Sequence, residues 1–139
     1  MVSPVQALAI TSFIGIISLG TLALQRQIPT PQQAGDYNSA ITTFPDGSEA
    51  ILLSWFTNIS SGTLNCRNAP GSNQQVIHEF QPDELLQADA GVNHSEEPII
   101  KDSQGKPWLR VKIVNNQGET QGTCFVRAHE DFIVPNSLE

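Results

Sequence analysis

Two cysteines and three histidines are the residues of this 139-residue chain best suited to carry out chemistry. A cysteine beside a histidine can act as a nucleophile with its general base. Cys66 and Cys124, however, both lie in runs that alternate apolar and polar residues, which is typical of strands. Neither has the helix N-terminus or the flanking Gly and Ser that expose a reactive thiolate. We therefore predict no catalytic residue and expect that the protein is not an enzyme.

The histidines do not form a metal-binding pattern. His78 lies in the run VIHEF, and His94 and His129 each lie close to acidic residues. No His-x-x-x-His or Cys-x-x-Cys spacing occurs that would bring two ligands to one face. The sequence also lacks a Gly-rich phosphate loop. We therefore predict no metal site and no cofactor.

The composition excludes one class of partner. The chain has a formal net charge of -7, and its seven Lys and Arg residues are scattered along the sequence. Nucleic-acid binding depends on a clustered basic surface. We therefore expect no nucleic-acid partner. The length suits one small domain with an appendage.

The appendage is an uncharged, mostly apolar run from Val5 to Leu24. As a helix this run would span roughly 30 Å, the thickness of the hydrocarbon core of a bilayer. We predict one transmembrane helix, with residues 1–25 as a membrane anchor. A cleavable signal peptide is the alternative, with Thr21-Leu22-Ala23 as the cleavage site. The run is long for a signal, however, and no Lys or Arg precedes it, so we favour the anchor.

A linker and a small all-β head follow the anchor. Residues 26–45 are rich in Pro and Gln and have no apolar period, which predicts an extended linker. In residues 46–139, short strand-like runs alternate with turn residues, a spacing typical of a small barrel or sandwich. One short helical turn is expected within QPDELLQADAG, residues 81–91. The strand-like runs are AILLSWF (50–56), TLNCR, QQVIHEF, EPIIKD, PWLRVKIV, GTCFVR and DFIVP.

The segment TLNCRNAPGSNQQVIHEF resembles the opening of bacterial Src-homology-3-like (SH3-like) domains, which has a Leu-Asn-Val-Arg strand, a Gly-Pro-Gly type turn and a second strand. Leu64, Asn65 and Arg67 match this pattern, Cys66 replaces the valine, and Ala69-Pro70-Gly71 supplies the turn. WLRVKI is similar to the central strand of the family, and GTCFVRAHEDFIVP to its closing strands. The resemblance covers about residues 58 to 135 and implies a small SH3-like barrel.

The resemblance also bears on the two cysteines. In this family the first and closing strands run near one another. This implies that the Cα atoms of Cys66 and Cys124 lie within the ~4.4–6.8 Å that a disulfide needs. Two unpaired cysteines in the core are the alternative. A disulfide implies an oxidising compartment, and hence a head in a periplasm or lumen. Arg26, the one cationic side chain near the apolar run, favours the cytoplasmic face instead. We favour the extracytoplasmic head.

The resemblance implies a binding function, because SH3-like barrels bind peptides or partner proteins in a groove lined by aromatic residues. We expect a non-catalytic, membrane-anchored accessory protein whose head contacts a partner protein or a membrane-protein complex. The alternative is an exported module that binds peptides of the cell wall (peptidoglycan). Each aromatic candidate could equally belong to the core. The candidate contact residues are Trp55, Trp108, Phe125 and Phe132, with Glu96 and Glu97 in an acidic loop.

Overall fold

The computed structural model describes residues 25–137, which contain ten strands and no helix. This confirms the predicted all-β class. The predicted anchor, residues 1–25, lies almost wholly outside the described range, within which no helix is long and apolar enough to cross a bilayer. The strands are β1 (Ile41–Thr43), β2 (Glu49–Ile51), β3 (Ser54–Thr57), β4 (Leu64–Arg67), β5 (Val76–Phe80), β6 (Leu85–Gln87), β7 (Ile99–Lys101), β8 (Pro107–Val114), β9 (Thr120–Arg127) and β10 (Ile133–Pro135).

Five antiparallel strands form the largest sheet, in the order β5-β4-β9-β8-β7. Because successive strand residues point to opposite faces, the register divides β8 and β9 into two rows of side chains. Leu109 pairs with Val126, and both have no exposed surface, so their face is the inner one. Trp108 pairs with Arg127 on the opposite face, which we call the outer face.

Two smaller sheets complete the fold: a three-stranded sheet in the order β10-β3-β6 and the hairpin β1-β2. The predicted single strand over residues 50–56 is divided between them. The amide of Leu52 donates to the carbonyl of Ala40, and the carbonyl of Leu53 accepts from the amide of Ala88. The chain therefore passes from the hairpin to the three-stranded sheet at Leu52 and Leu53. Trp55 in β3 lies opposite Leu86 and has no exposed surface.

The prediction of a helical turn within residues 81–91 is wrong, because this segment contains β6 and no helix. Asp83 has a φ of 58°, a left-handed conformation that a right-handed helix does not contain. Leu86 then packs into the core opposite Trp55. Pairing with β3 and burial of this leucine therefore outweigh the local helical propensity.

A disulfide joins the inner faces of two neighbouring strands. Cys66 in β4 and Cys124 in β9 have Cα atoms 5.4 Å apart and are 58 residues apart in sequence. Neither cysteine has exposed surface. The predicted disulfide is therefore confirmed, and the alternative of two unpaired core cysteines is wrong.

Residues before β1 pack against the sheets. Tyr37 and Ala40, both in the segment predicted as a linker, are buried in the core. The ring of Tyr37 meets that of Trp55 edge to face, with centroids 5.2 Å apart. The amide of Tyr37 donates to the carbonyl of Ala128, the residue that follows β9. The segment predicted as a linker thus contributes side chains to the hydrophobic core.

Two carboxylates hold this segment in place. Glu97 accepts hydrogen bonds from the amide of Ala40 at 2.9 Å and from the hydroxyl of Ser39 at 3.1 Å. Asp36 forms an ion pair with Arg127, with 2.6 Å between Oδ1 and Nη2. Each of these contacts joins residues that are far apart in sequence. Together they fasten the start of the described chain to the five-stranded sheet.

Candidate functional site

A groove of about 520 Å³ lies beside the outer face of the five-stranded sheet. The lining residues come from the loop between β3 and β4, from β4, β8 and β9, from the loop after β4, from the turn between β7 and β8, and from the chain just before β10. The lining therefore comes from segments that are distant in sequence and that the sheet brings together.

Apolar side chains form part of the groove surface: Ile59, Leu64, Trp108 and Phe132. Trp108 is only 4% exposed, yet it lies outside the main core cluster, as its position on the outer face requires. Phe132 is 37% exposed, so its ring can be contacted from solvent. An apolar side chain of a ligand would lose water mainly against the ring of Phe132, because Trp108 exposes little surface.

The indole of Trp108 is fixed by the turn between β7 and β8. Its Nε1–H donates to Oδ2 of Asp102 at 2.9 Å. The other oxygen of Asp102 accepts from the amides of Gln104 and Lys106. These hydrogen bonds hold the pKa of Asp102 below its ordinary value of 3.8, the bond from Trp108 first and that from the Lys106 amide next. Asp102 is therefore ionised at neutral pH and ties the turn to the indole.

Three of the seven basic residues of the chain line the groove, namely Arg67, Lys106 and Arg127. Arg127 is paired with Asp36 and also donates to the carbonyl of Pro107. Arg67 donates one hydrogen bond from Nη1 to a loop carbonyl, at 2.8 Å. Within residues 25–137, the ion pairs include neither Arg67 nor Lys106.

Exposed polar groups form the rim, from Ser61, Thr63, Asn65 and Ser72. Ser72 belongs to the loop between β4 and β5, and this loop lines an adjoining depression of about 210 Å³. The two hollows share Ser72 and Asp102, so they meet along one edge. Hydroxyl and amide groups at such a rim can donate to and accept from the backbone of an extended peptide.

Two of the aromatic residues that the sequence suggested line this groove, and two do not. Trp108 and Phe132 belong to its lining. Trp55 is buried in the core, where its Nε1–H donates to the carbonyl of Leu52. Phe125 is half-buried in β9 and lies opposite Arg67 in register, outside the groove lining.

The two acidic candidates lie away from the groove lining. Glu96 forms an ion pair with Arg110 at 3.1 Å, and its side chain is 66% exposed. Glu97 accepts three hydrogen bonds, from the Ala40 amide, the Ser39 hydroxyl and the Ile99 amide. The contacts of Glu97 thus fasten the chain before β1 to β7.

The sequence reasoning missed Arg67 and Lys106 as site residues. Arg67 is part of the quoted strand motif, and Lys106 directly precedes the Pro-Trp start of β8. The position of Lys106 just before the tryptophan of a predicted strand was a sequence signal that it could belong to the site. No sequence spacing indicates that Arg67 comes near Lys106, because their proximity arises from the order of strands in the sheet.

Free thiols and clusters of metal ligands are two kinds of chemical site that the described residues can be searched for. Both cysteines are in the disulfide, so neither is a free thiol. Within residues 25–137, no cluster of three His, Cys, Asp or Glu side chains could hold a metal ion. The arrangement can contact a ligand with apolar, cationic and hydrogen-bonding groups. No family model, curated protein or solved structure matches the chain.

Proposed function

We propose that the protein is a non-catalytic, membrane-anchored binding protein whose head holds a segment of a partner protein in the groove. The observation that carries this proposal is the groove itself, where the exposed ring of Phe132 and the fixed indole of Trp108 adjoin a hydrogen-bonding rim. Small binding sites commonly combine an apolar surface with a few placed polar groups. The partner would be a protein such as a subunit of a membrane complex.

The architecture proposed for the head is the SH3-like barrel that the sequence resembles, behind a single membrane span at residues 5–24. The antiparallel strands and the link between β4 and β9 are compatible with that architecture. The disulfide supports an oxidising compartment, so we place the head in a periplasm or lumen rather than at the cytoplasmic face. In this position the head would act as an accessory part of a membrane assembly.

Site-specific photo-crosslinking tests the proposal in cells that express the full-length chain. The photoreactive residue p-benzoylphenylalanine would replace Ser61 at the groove rim. A matched control would carry it in place of Gln117, an exposed residue of the β8–β9 turn. That turn lies at the end of the hairpin opposite Trp108 and Arg127. We expect one discrete protein adduct from position 61 and none from position 117.

A second variant connects the adduct with the groove surface. Phe132→Ser removes an exposed ring and leaves the backbone free to keep its bonds to Asn58 and His129. We expect the adduct from position 61 to fall at least about fivefold, since burying an aromatic ring contributes more than 1 kcal/mol. Slow reduction of the buried Cys66–Cys124 disulfide without denaturant, followed by alkylation of the thiols released, would verify that the variant folds.

Three results would contradict this function. Equal adducts from positions 61 and 117 would indicate random collision, and the absence of any adduct at Ser61 would indicate an empty groove. An adduct that survives Phe132→Ser unchanged would place the contact elsewhere. Adducts that contain cell-wall peptides instead of protein would favour the alternative function of an exported wall-binding module.

A further inference from the structure

The groove is rich in positive charge although the chain as a whole is acidic. The formal net charge of the chain is -7, yet three basic residues line the groove against a single carboxylate, Asp102. Uneven charge of this kind affects which partner can approach, because complementary potentials favour encounter and like charges oppose it.

Two of these four charged groups are already engaged within the protein. Arg127 is held by Asp36 at 2.6 Å. Asp102 accepts from the indole of Trp108 and from two amides of its own turn. The charge of Arg127 is therefore offset by that of Asp36, whereas the donors to Asp102 are neutral and leave its negative charge in the groove lining. The positive character of the groove rests on the remaining two residues, Arg67 and Lys106.

Arg67 and Lys106 have donors that internal contacts leave available. A guanidinium has five N–H donors, and Arg67 gives one of them to the carbonyl of Gln74. Lys106 is exposed, and the hydrogen bonds of its turn involve its backbone. Within residues 25–137, neither residue takes part in an ion pair.

We propose that the groove binds an acidic segment of the partner, with carboxylates at Arg67 and Lys106 and an apolar side chain against Phe132, beside Trp108. This inference rests on the function proposed above and names the chemistry of its ligand. Hydrogen bonds from a guanidinium or ammonium to a carboxylate are stronger than neutral ones. A basic segment would instead meet two like charges, and a neutral one would leave both cations unpaired.

Three blocked hexapeptides test the assignment on the full-length, oxidised, ¹⁵N-labelled chain. They alternate leucine with glutamate, with glutamine or with lysine. The two tryptophans give separate indole N–H signals, and only Trp108 lines the groove, whereas Trp55 is buried and bonded to Leu52. We expect the leucine–glutamate peptide to shift the Trp108 signal to saturation while the Trp55 signal stays in place.

The charge of the peptide should set its affinity. We expect the leucine–glutamine peptide to bind about fivefold more weakly than the leucine–glutamate peptide, and the leucine–lysine peptide to cause no shift. Raising the salt concentration should weaken binding of the acidic peptide, because exposed charges are screened.

Charge-removing variants assign the effect to the two cations. Arg67→Gln and Lys106→Gln should each weaken binding of the acidic peptide by about fivefold. Lys106→Gln is less disruptive to the fold than Arg67→Gln, because no internal side-chain contact of Lys106 is lost. Lys112→Gln is the matched control: Lys112 lies on the outer face of the same strand as Trp108 but outside the groove lining, and its removal should leave the affinity unchanged.

The outcomes separate this inference from the proposed function. Equal binding of the three peptides, or tighter binding of the leucine–lysine peptide, would overturn the acidic assignment and leave a peptide-binding groove. Unchanged affinity in both Arg67→Gln and Lys106→Gln would also overturn it. If no peptide shifts the Trp108 signal, the acidic assignment fails. The cross-link from Ser61, which assumes nothing about charge, then decides the function separately.

Discussion

The disulfide between β4 and β9 should supply a large part of the stability of the head. Cys66 and Cys124 enclose a loop of 58 residues. The entropy removed from the unfolded chain by closing a loop of this length corresponds to about 4 kcal/mol at 25 °C. Small domains have a net stability of only about 5–15 kcal/mol, so reduction should remove a large fraction of it. Reduced thiols would remain packed as small apolar groups, so the loss should arise mainly in the unfolded state.

Urea unfolding of the full-length chain measures this contribution. Tryptophan fluorescence would follow the oxidised protein, the protein with reductant, and the double variant Cys66→Ala/Cys124→Ala. The free energy of unfolding falls by about 2 kcal/mol per M urea, so a loss of about 4 kcal/mol in stability lowers the urea midpoint by about 2 M. The double variant should show a similar loss and should not respond to reductant, which makes it the control for reductant effects.

One result would refute this reasoning. If the oxidised and reduced proteins unfold within about 0.5 M urea of one another, loop closure contributes little and another interaction dominates. Reduction of the native protein should also be slow, because both sulfur-bearing residues have no exposed surface. Rapid reduction without unfolding would show that β4 and β9 open locally.

Two further predictions concern the chain before β1. Burial, and secondarily the charge of Glu130, raise the pKa of Tyr37, the only tyrosine, above 10.0. Its absorbance at 295 nm should therefore titrate above pH 10 when folded and near 10 in urea. Because the unfolded tyrosine ionises first, its contribution to stability is complete below pH 10 and declines as the pH rises through the folded pKa; a folded midpoint at or below 10.0 would contradict this. Glu97→Ala should lower the free energy of unfolding by about 1–3 kcal/mol, because it leaves the amide of the buried Ala40 without its acceptor. The neighbouring Glu96→Ala should cost less than about 1 kcal/mol, since its ion pair is exposed. Urea midpoints and hydrogen exchange at the Ala40 amide measure both, and equal losses would contradict the assigned role of Glu97.

The sequence predicted those strands whose alternation is regular and whose neighbours are close in the chain. The run PWLRVKIV coincides with β8, Pro107–Val114, because apolar and polar residues alternate through its centre, from Leu109 to Ile113. The run over residues 50–56 reads as one strand, yet it is divided between two sheets at Leu52. That division depends on the amide of Leu52 reaching the carbonyl of Ala40. A contact with a distant segment of this kind leaves no periodic signal in the sequence.

The candidate site was predictable only in part, for a related reason. The aromatic-lined groove implied by the resemblance suggested Trp55, Trp108, Phe125 and Phe132, and the groove lining includes the second and fourth of them. The side of the sheet on which each ring lies depends on strand register, which the sequence specifies only after the pairing is known. The burial of Tyr37 was also not predictable, because it comes from a ring contact with the distant Trp55, whereas its own segment is rich in proline and glutamine.

The covalent link between β4 and β9 also determines how the head would respond to mechanical force. A pull applied at the two ends of the described chain would pass directly from Cys66 to Cys124 through the bonded sulfurs. The chain between these residues would then carry no tension along its backbone. Arg67, Lys106 and Trp108 all belong to that segment. A load that stripped away the strands outside this loop would therefore remove Phe132 from the groove and leave Arg67, Lys106 and Trp108 in an unloaded, covalently closed loop.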